Sequence, residues 1–240
     1  MPCIKNRVAI LAVSSACLAL LAAVPARGAA PRVVVEETRE YEVSIKGKPA
    51  GRTTIHITET EDGMATAATD ANVQTKYFLF TYRYEFHGTE IWRGDRLERV
   101  DSHAVDDGKQ LSARASVDPR GSRIEIQNKP AQPGPLLAMT TNYWRLPSPA
   151  AATGDFSILD ADTGIVQRVR LERVGPEQVA IGGRNLPCTH YRLAGTVKAE
   201  LWFDARGRMV RQQTVEDGYP TELRLTQITD NLRNRDAGPR

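Results

Sequence analysis

Apolar and polar residues alternate with a period of two along most of this chain. Tyr41, Val43 and Ile45 share one face, and Ile55 and Ile57 resume the pattern after a Lys46-Gly47-Lys48-Pro49 turn. Phe78, Phe80, Tyr82, Tyr84 and Phe86 place five aromatic rings on one face of a single strand. Leu111, Ala113, Ala115 and Val117 follow, then Val169 with Leu171, and Val197, Ala199, Leu201 and Phe203. The intervening positions, among them Arg83, Glu85, Arg168, Arg170, Glu172, Lys198 and Glu200, are charged. Such alternation describes antiparallel strands with one packed and one wetted face. Turn signals punctuate them: Asp62-Gly63, Asp107-Gly108, Asp118-Pro119-Arg120-Gly121, Gly182-Gly183 and Asp217-Gly218. Asp-Gly and Gly-Gly pairs tolerate the positive φ angles of tight hairpins.

The pattern predicts a mostly β fold, a curved antiparallel meander forming a half-barrel or closed β-barrel. One stretch breaks it. Pro130, Pro133 and Pro135 lead into Leu136, Leu137, Met139, Tyr143 and Trp144, a stripe that predicts a short central helix within an insertion at about residues 128–155. Two similar hairpins, Glu90-Ile-Trp92-Arg-Gly94-Asp95 and Glu200-Leu-Trp202-Phe-Asp204 to Gly207, fall on either side of it. Their tryptophans share faces with Glu90 and with Lys198 and Glu200, which predicts that both rings lie at the outer surface or rim.

Residues 1–28 read as a secretory signal: Lys5 and Arg7, an apolar run over 8–24, then small residues with cleavage after Gly28 or Ala26. An uncleaved anchor helix and a lipoprotein signal at Cys17 are the alternatives. The organisation expected is a signal at 1–28, one β-rich domain at 29–229 and a disordered tail at 230–240. The chain has 32 basic and 29 acidic residues. Lys5, Arg7 and Arg27 lie in residues 1–28 and no acidic residue does, so the remainder is balanced and gives no reason to expect nucleic-acid binding. Of three cysteines only Cys188 lies beyond the signal, so no internal disulfide forms there; a buried thiol is expected, pairing with another chain being the alternative.

Candidate chemistry is sparse. His56, His87, His103 and His190 are too scattered for a compact metal motif, and neither a metal nor a cofactor is expected. Asp101 and His103 share a strand face beside Asp106 and Asp107, which read as a turn. Asp160 and Asp162 have the residue type of a hydrolytic carboxylate pair, yet Thr163-Gly164 after them favours a turn. Cys188 and His190 lack the orienting group that a thiol nucleophile needs.

Tyr41-Glu-Val-Ser-Ile45, Lys48-Pro-Ala-Gly51, Tyr82-Arg-Tyr84, Glu90 to Leu97, Tyr143-Trp144, Leu159 to Gly164, Tyr191-Arg-Leu193 and Leu201-Trp-Phe203 resemble an uncharacterised family of secreted bacterial proteins, a domain of unknown function. The resemblance spans about residues 40–228. Its layout is similar to the half-barrels of LolA- and LolB-type lipoprotein carriers, in which a curved sheet encloses an acyl-chain cavity beneath helices. It implies no catalytic residues. The leading functional expectation is a periplasmic or secreted, non-enzymatic module that binds an apolar or lipid-like ligand of the envelope. In it Phe78, Phe80, Tyr82, Tyr84, Phe86 and Leu201 line the concave face, and Met139, Tyr143 and Trp144 gate it. The alternative is a structural or partner-binding envelope protein with a filled barrel and an exposed edge strand. A hydrolase comes third, and requires Asp101, His103, Asp160 and Asp162 to meet in one cleft.

Overall fold

A computed structural model of the chain describes residues 31–77, 80–148, 154–216 and 218–232. The expected signal segment and most of the expected tail lie outside these residues, as does Phe78. Fifteen strands occur among the described residues. The first eight are β1 (Val33–Ile45), β2 (Lys48–Thr60), β3 (Met64–Tyr77), β4 (Phe80–Arg93), β5 (Arg96–Asp106), β6 (Lys109–Asp118), β7 (Gly121–Ile126) and β8 (Gln132–Gly134). The rest are β9 (Leu137–Thr140), β10 (Asp155–Leu159), β11 (Val166–Ile181), β12 (Arg184–Gly195), β13 (Ala199–Asp204), β14 (Met209–Glu216) and β15 (Tyr219–Asp230).

These strands form one sheet in the order β8-β7-β6-β5-β4-β3-β2-β1-β15-β14-β13-β12-β11-β10-β9. It consists of two meanders joined where β1 pairs antiparallel with β15, from Glu37 opposite Asp230 to Ile45 opposite Thr221. The predicted hairpins carry the predicted turn chemistry. Asp107 and Gly108 both have positive φ (45° and 87°), as do Gly182 and Gly183 (54° and 77°). Two consecutive positive φ values match the right-handed twist of the flanking strands.

The two edge strands are neighbours in sequence. Only Pro135 and Leu136 separate β8 from β9, a span of at most about 10 Å. A fifteen-stranded sheet whose edges come that close must curl almost full circle. Contacts across the curl agree. Ser102 Oγ on β5 donates to the Ala161 carbonyl after β10, and a Cβ on Gly164 would strike Ile126 on β7 and Ala113 on β6. Neither edge invites strand addition. β8 is three residues long with Pro133 in it and Pro130 and Pro135 beside it, and Leu137, Met139 and Thr140 of β9 are buried.

The expected central helix is not present among the described residues. Leu137 and Met139 alternate as a strand, parallel to β10. Thr141 then bonds back to Leu159 and Ala161 beside the β10–β11 turn, and Tyr143 adopts φ 48°, incompatible with a helix interior. Residues 141–148 continue as an irregular strap of turns and bends. Tyr143 and Trp144 are buried on it, in the same core as Tyr41, Ile55, Ile57, Trp92, Leu193, Leu201 and Phe203. Full burial of each such side chain contributes about 1.5–3 kcal/mol.

Candidate functional site

The strap is fastened to the sheet by one carboxylate. Glu90, on the inner face of β4, is 1% exposed. Its Oε2 accepts the indole N–H of both Trp92 and Trp144 at 2.9 Å. Its Oε1 accepts from Thr140 Oγ1 at 2.5 Å and Asn142 Nδ2 at 2.8 Å. Four donors thus satisfy a charge that would otherwise be costly to bury. Arg39 Nη1 donates to the Trp144 carbonyl at 2.8 Å, and the Arg145 guanidinium lies over both rings, 4.8 Å from Trp92 and 5.3 Å from Trp144. Trp92 is therefore an interior residue, contrary to the reading of its charged neighbour as a surface marker. Trp202 keeps an outward position but is 4% exposed. It is stacked on His190 at 4.3 Å, covered by Arg211 at 4.7 Å, and bonded through Nε1 to Glu177.

The residues expected to line an apolar cavity separate into two groups. Phe86, Met139, Trp144 and Leu201 are packed core, with Phe86 in a small cluster with Ala104, Leu111 and Ala161. Tyr82 and Tyr84 are half-buried near the β10–β11 turn, and Phe80 opens β4. Tyr84 Oη donates to Asp162 Oδ2 at 2.8 Å, and Tyr82 bonds Asp106. Burial pushes the Asp162 carboxyl up to about 7; Asp160, Glu216 and Asp106 push the same way and the Tyr84 hydrogen bond opposes them. Burial, then Asp162, raises the Tyr84 phenol, and burial, then Asp160 and Glu216, raises that of Tyr143. The Tyr143 hydroxyl is buried without a hydrogen-bond partner.

The hydrolytic constellation does not assemble. Asp160 serves the turn: its Oδ1 accepts from the amides of Asp162 and Thr163. Asp101 and His103 instead line a hollow on the outer face. Both ring nitrogens of His190 face carboxylates, Nε2 to Glu200 at 2.6 Å and Nδ1 to Glu177 at 3.3 Å. Cys188 Sγ donates to the Leu186 carbonyl, and burial raises its thiol to about 11. A protonated thiol is a poor nucleophile.

The outer hollow, about 420 Å³, was not anticipated. Asp70, His87, Arg99, Asp101 and His103 are among its lining residues. Strand register makes one transverse row: Asp70 on β3 opposes His87 on β4, and His87 opposes His103 on β5. His87 Nδ1 lies 2.5 Å from Asp70 Oδ1. Asp101, beside this row, pairs with Arg114 at 3.3 Å and Arg99 at 3.7 Å.

No curated protein matches the sequence. Among solved structures the fold is similar to a crystal structure of a beta-barrel-like protein of the DUF1849 domain of unknown function from Brucella abortus. The TM-score is 0.64 at 8% identity, over 82% of this chain and 98% of that one, a likeness of fold alone. A family model for a domain of unknown function, DUF6134, matches residues 41–226, the whole sheet apart from the start of β1 and the end of β15, and the chain belongs to that family.

Proposed function

We propose that this chain is a non-enzymatic module of the cell envelope, a filled barrel that works through its outer surface. The observation that carries this reading is the strap. Tyr143, Trp144 and Leu146 of the strap pack into the core on the inner face, where a carrier would leave room for an acyl chain, and Glu90 bonds the segment through Thr140, Asn142 and Trp144. Met139 and Trp144, read from sequence as a gate, are buried packing residues in this arrangement. Ligand pockets need concave, largely pre-formed space.

Native mass spectrometry of gently purified protein tests the reading, together with titration of a fluorescent fatty-acyl probe. The expected result is a bare protein mass, or a defined protein partner, with no saturable probe binding. A stoichiometric co-purifying lipid, or saturable probe binding that Tyr84→Ala weakens, overturns it. That outcome restores the apolar-ligand reading at an inward region that is only half-buried, around Tyr82 and Tyr84.

A further inference from the structure

The described outer face of β2 to β5 carries three of the chain's four histidines, His56, His87 and His103. Two of them are direct cross-strand partners. In an antiparallel ladder the Cβ atoms of opposed residues are about 4.5–5.5 Å apart. Two imidazoles at that spacing converge readily on one ion, each nitrogen about 2 Å from it. Both histidines are exposed, and neither is covered by a packed neighbour.

We propose that His87 and His103 form a binding site for a divalent transition-metal ion, with Asp70 as the positioning residue. The ring of His87 is already oriented as such a site requires. Nδ1–H donating to Asp70 fixes the tautomer, and the Nε2 lone pair is left for the metal. A carboxylate behind a ligating imidazole is the recurrent outer-shell arrangement of histidine metal sites, and it raises the basicity of the ligand. The hollow beside the pair leaves room for water or a small anion to complete the coordination. Arg99 and Arg114 already compensate Asp101, so the metal is not drawn into a carboxylate cage that would favour calcium or magnesium. Among the described residues no group of three His, Cys, Asp or Glu side chains is arranged to hold a metal. The site is therefore a two-imidazole chelate open to solvent. Imidazole donors suit copper, nickel and zinc, with copper bound most tightly.

The test is calorimetric titration of the folded protein with Zn²⁺ and Ni²⁺, and Cu²⁺ binding followed by electron paramagnetic resonance. One ion per chain is expected, with nitrogen hyperfine structure for Cu²⁺. His87→Ala and His103→Ala should each abolish the site, Asp70→Asn should weaken it by about tenfold, and His56→Ala should leave it unchanged. Imidazole ¹⁵N shifts of the wild-type protein, read during a Zn²⁺ titration, report the ligands without any substitution. Binding should weaken as the solution is acidified, because protons compete for the ligating nitrogens. Absence of saturable binding overturns the proposal. So does binding that survives both histidine substitutions, or shifts that fall on His56 or His190 instead.

Discussion

Trp92 and Trp144 meet edge to face, ring centroids 6.0 Å apart and planes at 89°, and both indole N–H groups end on the same Glu90 oxygen. The pair joins β4 to the strap, so one side chain decides whether the segment filling the curl stays in place.

Removal of that carboxylate is therefore expected to cost far more than an ordinary surface glutamate. Glu90→Ala strands three buried donors (Trp92, Trp144 and Thr140) and the part-buried Asn142 amide, each worth about 1–3 kcal/mol when unsatisfied, less whatever water recovers. A loss of about 3–5 kcal/mol is predicted, the range for breaking a buried charged network. Glu90→Gln should cost less, because its amide oxygen still accepts two of the four bonds. Urea denaturation followed by tryptophan fluorescence reads both values. An Ala variant within about 1 kcal/mol of wild type would show that the strap does not depend on Glu90.

Asp162 gives the stability a pH dependence of unusual sign. Its folded carboxyl titrates at about 7, above the value of about 3.9 in an unfolded chain. Between those values the folded state holds a proton that the unfolded state has released. The contribution of this group is full below about pH 4 and is lost as pH rises through about 7. Asp162→Asn should flatten that part of the profile while keeping a partner for Tyr84. Denaturation midpoints at a series of pH values decide it; identical slopes for the two proteins would refute the assignment.

Cys188 should be inert in the folded protein. It is 5% exposed with its thiol raised by burial, which opposes both alkylation and pairing with another chain. A chromogenic disulfide reagent should react slowly with native protein and completely in denaturant. Rapid native modification would mean that the β11–β12 hairpin opens.

Gly51 sits where β2 closes on β3, and its reason for being glycine is space. A Cβ there would lie 2.1 Å from the Asn72 carbonyl oxygen and 2.7 Å from the Val73 Cα, backbone atoms that cannot swing aside. Gly51→Ala is expected to cost about 1–3 kcal/mol, as over-packing does. An unchanged denaturation midpoint would contradict that close approach.

Much of the scaffold was legible because period-two alternation and Asp-Gly or Gly-Gly turns are local signals. The failures were non-local. The stripe from Leu136 to Trp144 fits a helix by spacing alone, but pairing with β10 and the donors converging on Glu90 hold it as a short strand followed by an irregular strap. The charge on Glu90 points Trp92 outward, a rule that fails when four partners satisfy a buried carboxylate. The histidine pair was hidden by a bulge. Counting back from the Arg93–Arg96 pair places His87 opposite Ser102, and the register shift between Ile91 and Trp92 moves it opposite His103. No composition or spacing in the chain announces that shift.

The adjacency of β8 and β9 in the chain has a consequence for how the fold is assembled. Each meander pairs only sequence neighbours, as antiparallel hairpins in every case but the parallel pair β9–β10, so either half can form locally. The seam between β1 and β15 waits for the strand that follows all the others, and the strap can be locked only once both halves stand. Among the described strands that is the one pairing between elements distant in sequence, and it is expected to be the slow step. A circularly permuted chain, opened between Pro135 and Leu136 and joined by a linker from residue 232 to residue 31, would visit all fifteen strands in strict spatial order. The seam would become one more hairpin, and the permuted chain should fold faster than the natural one.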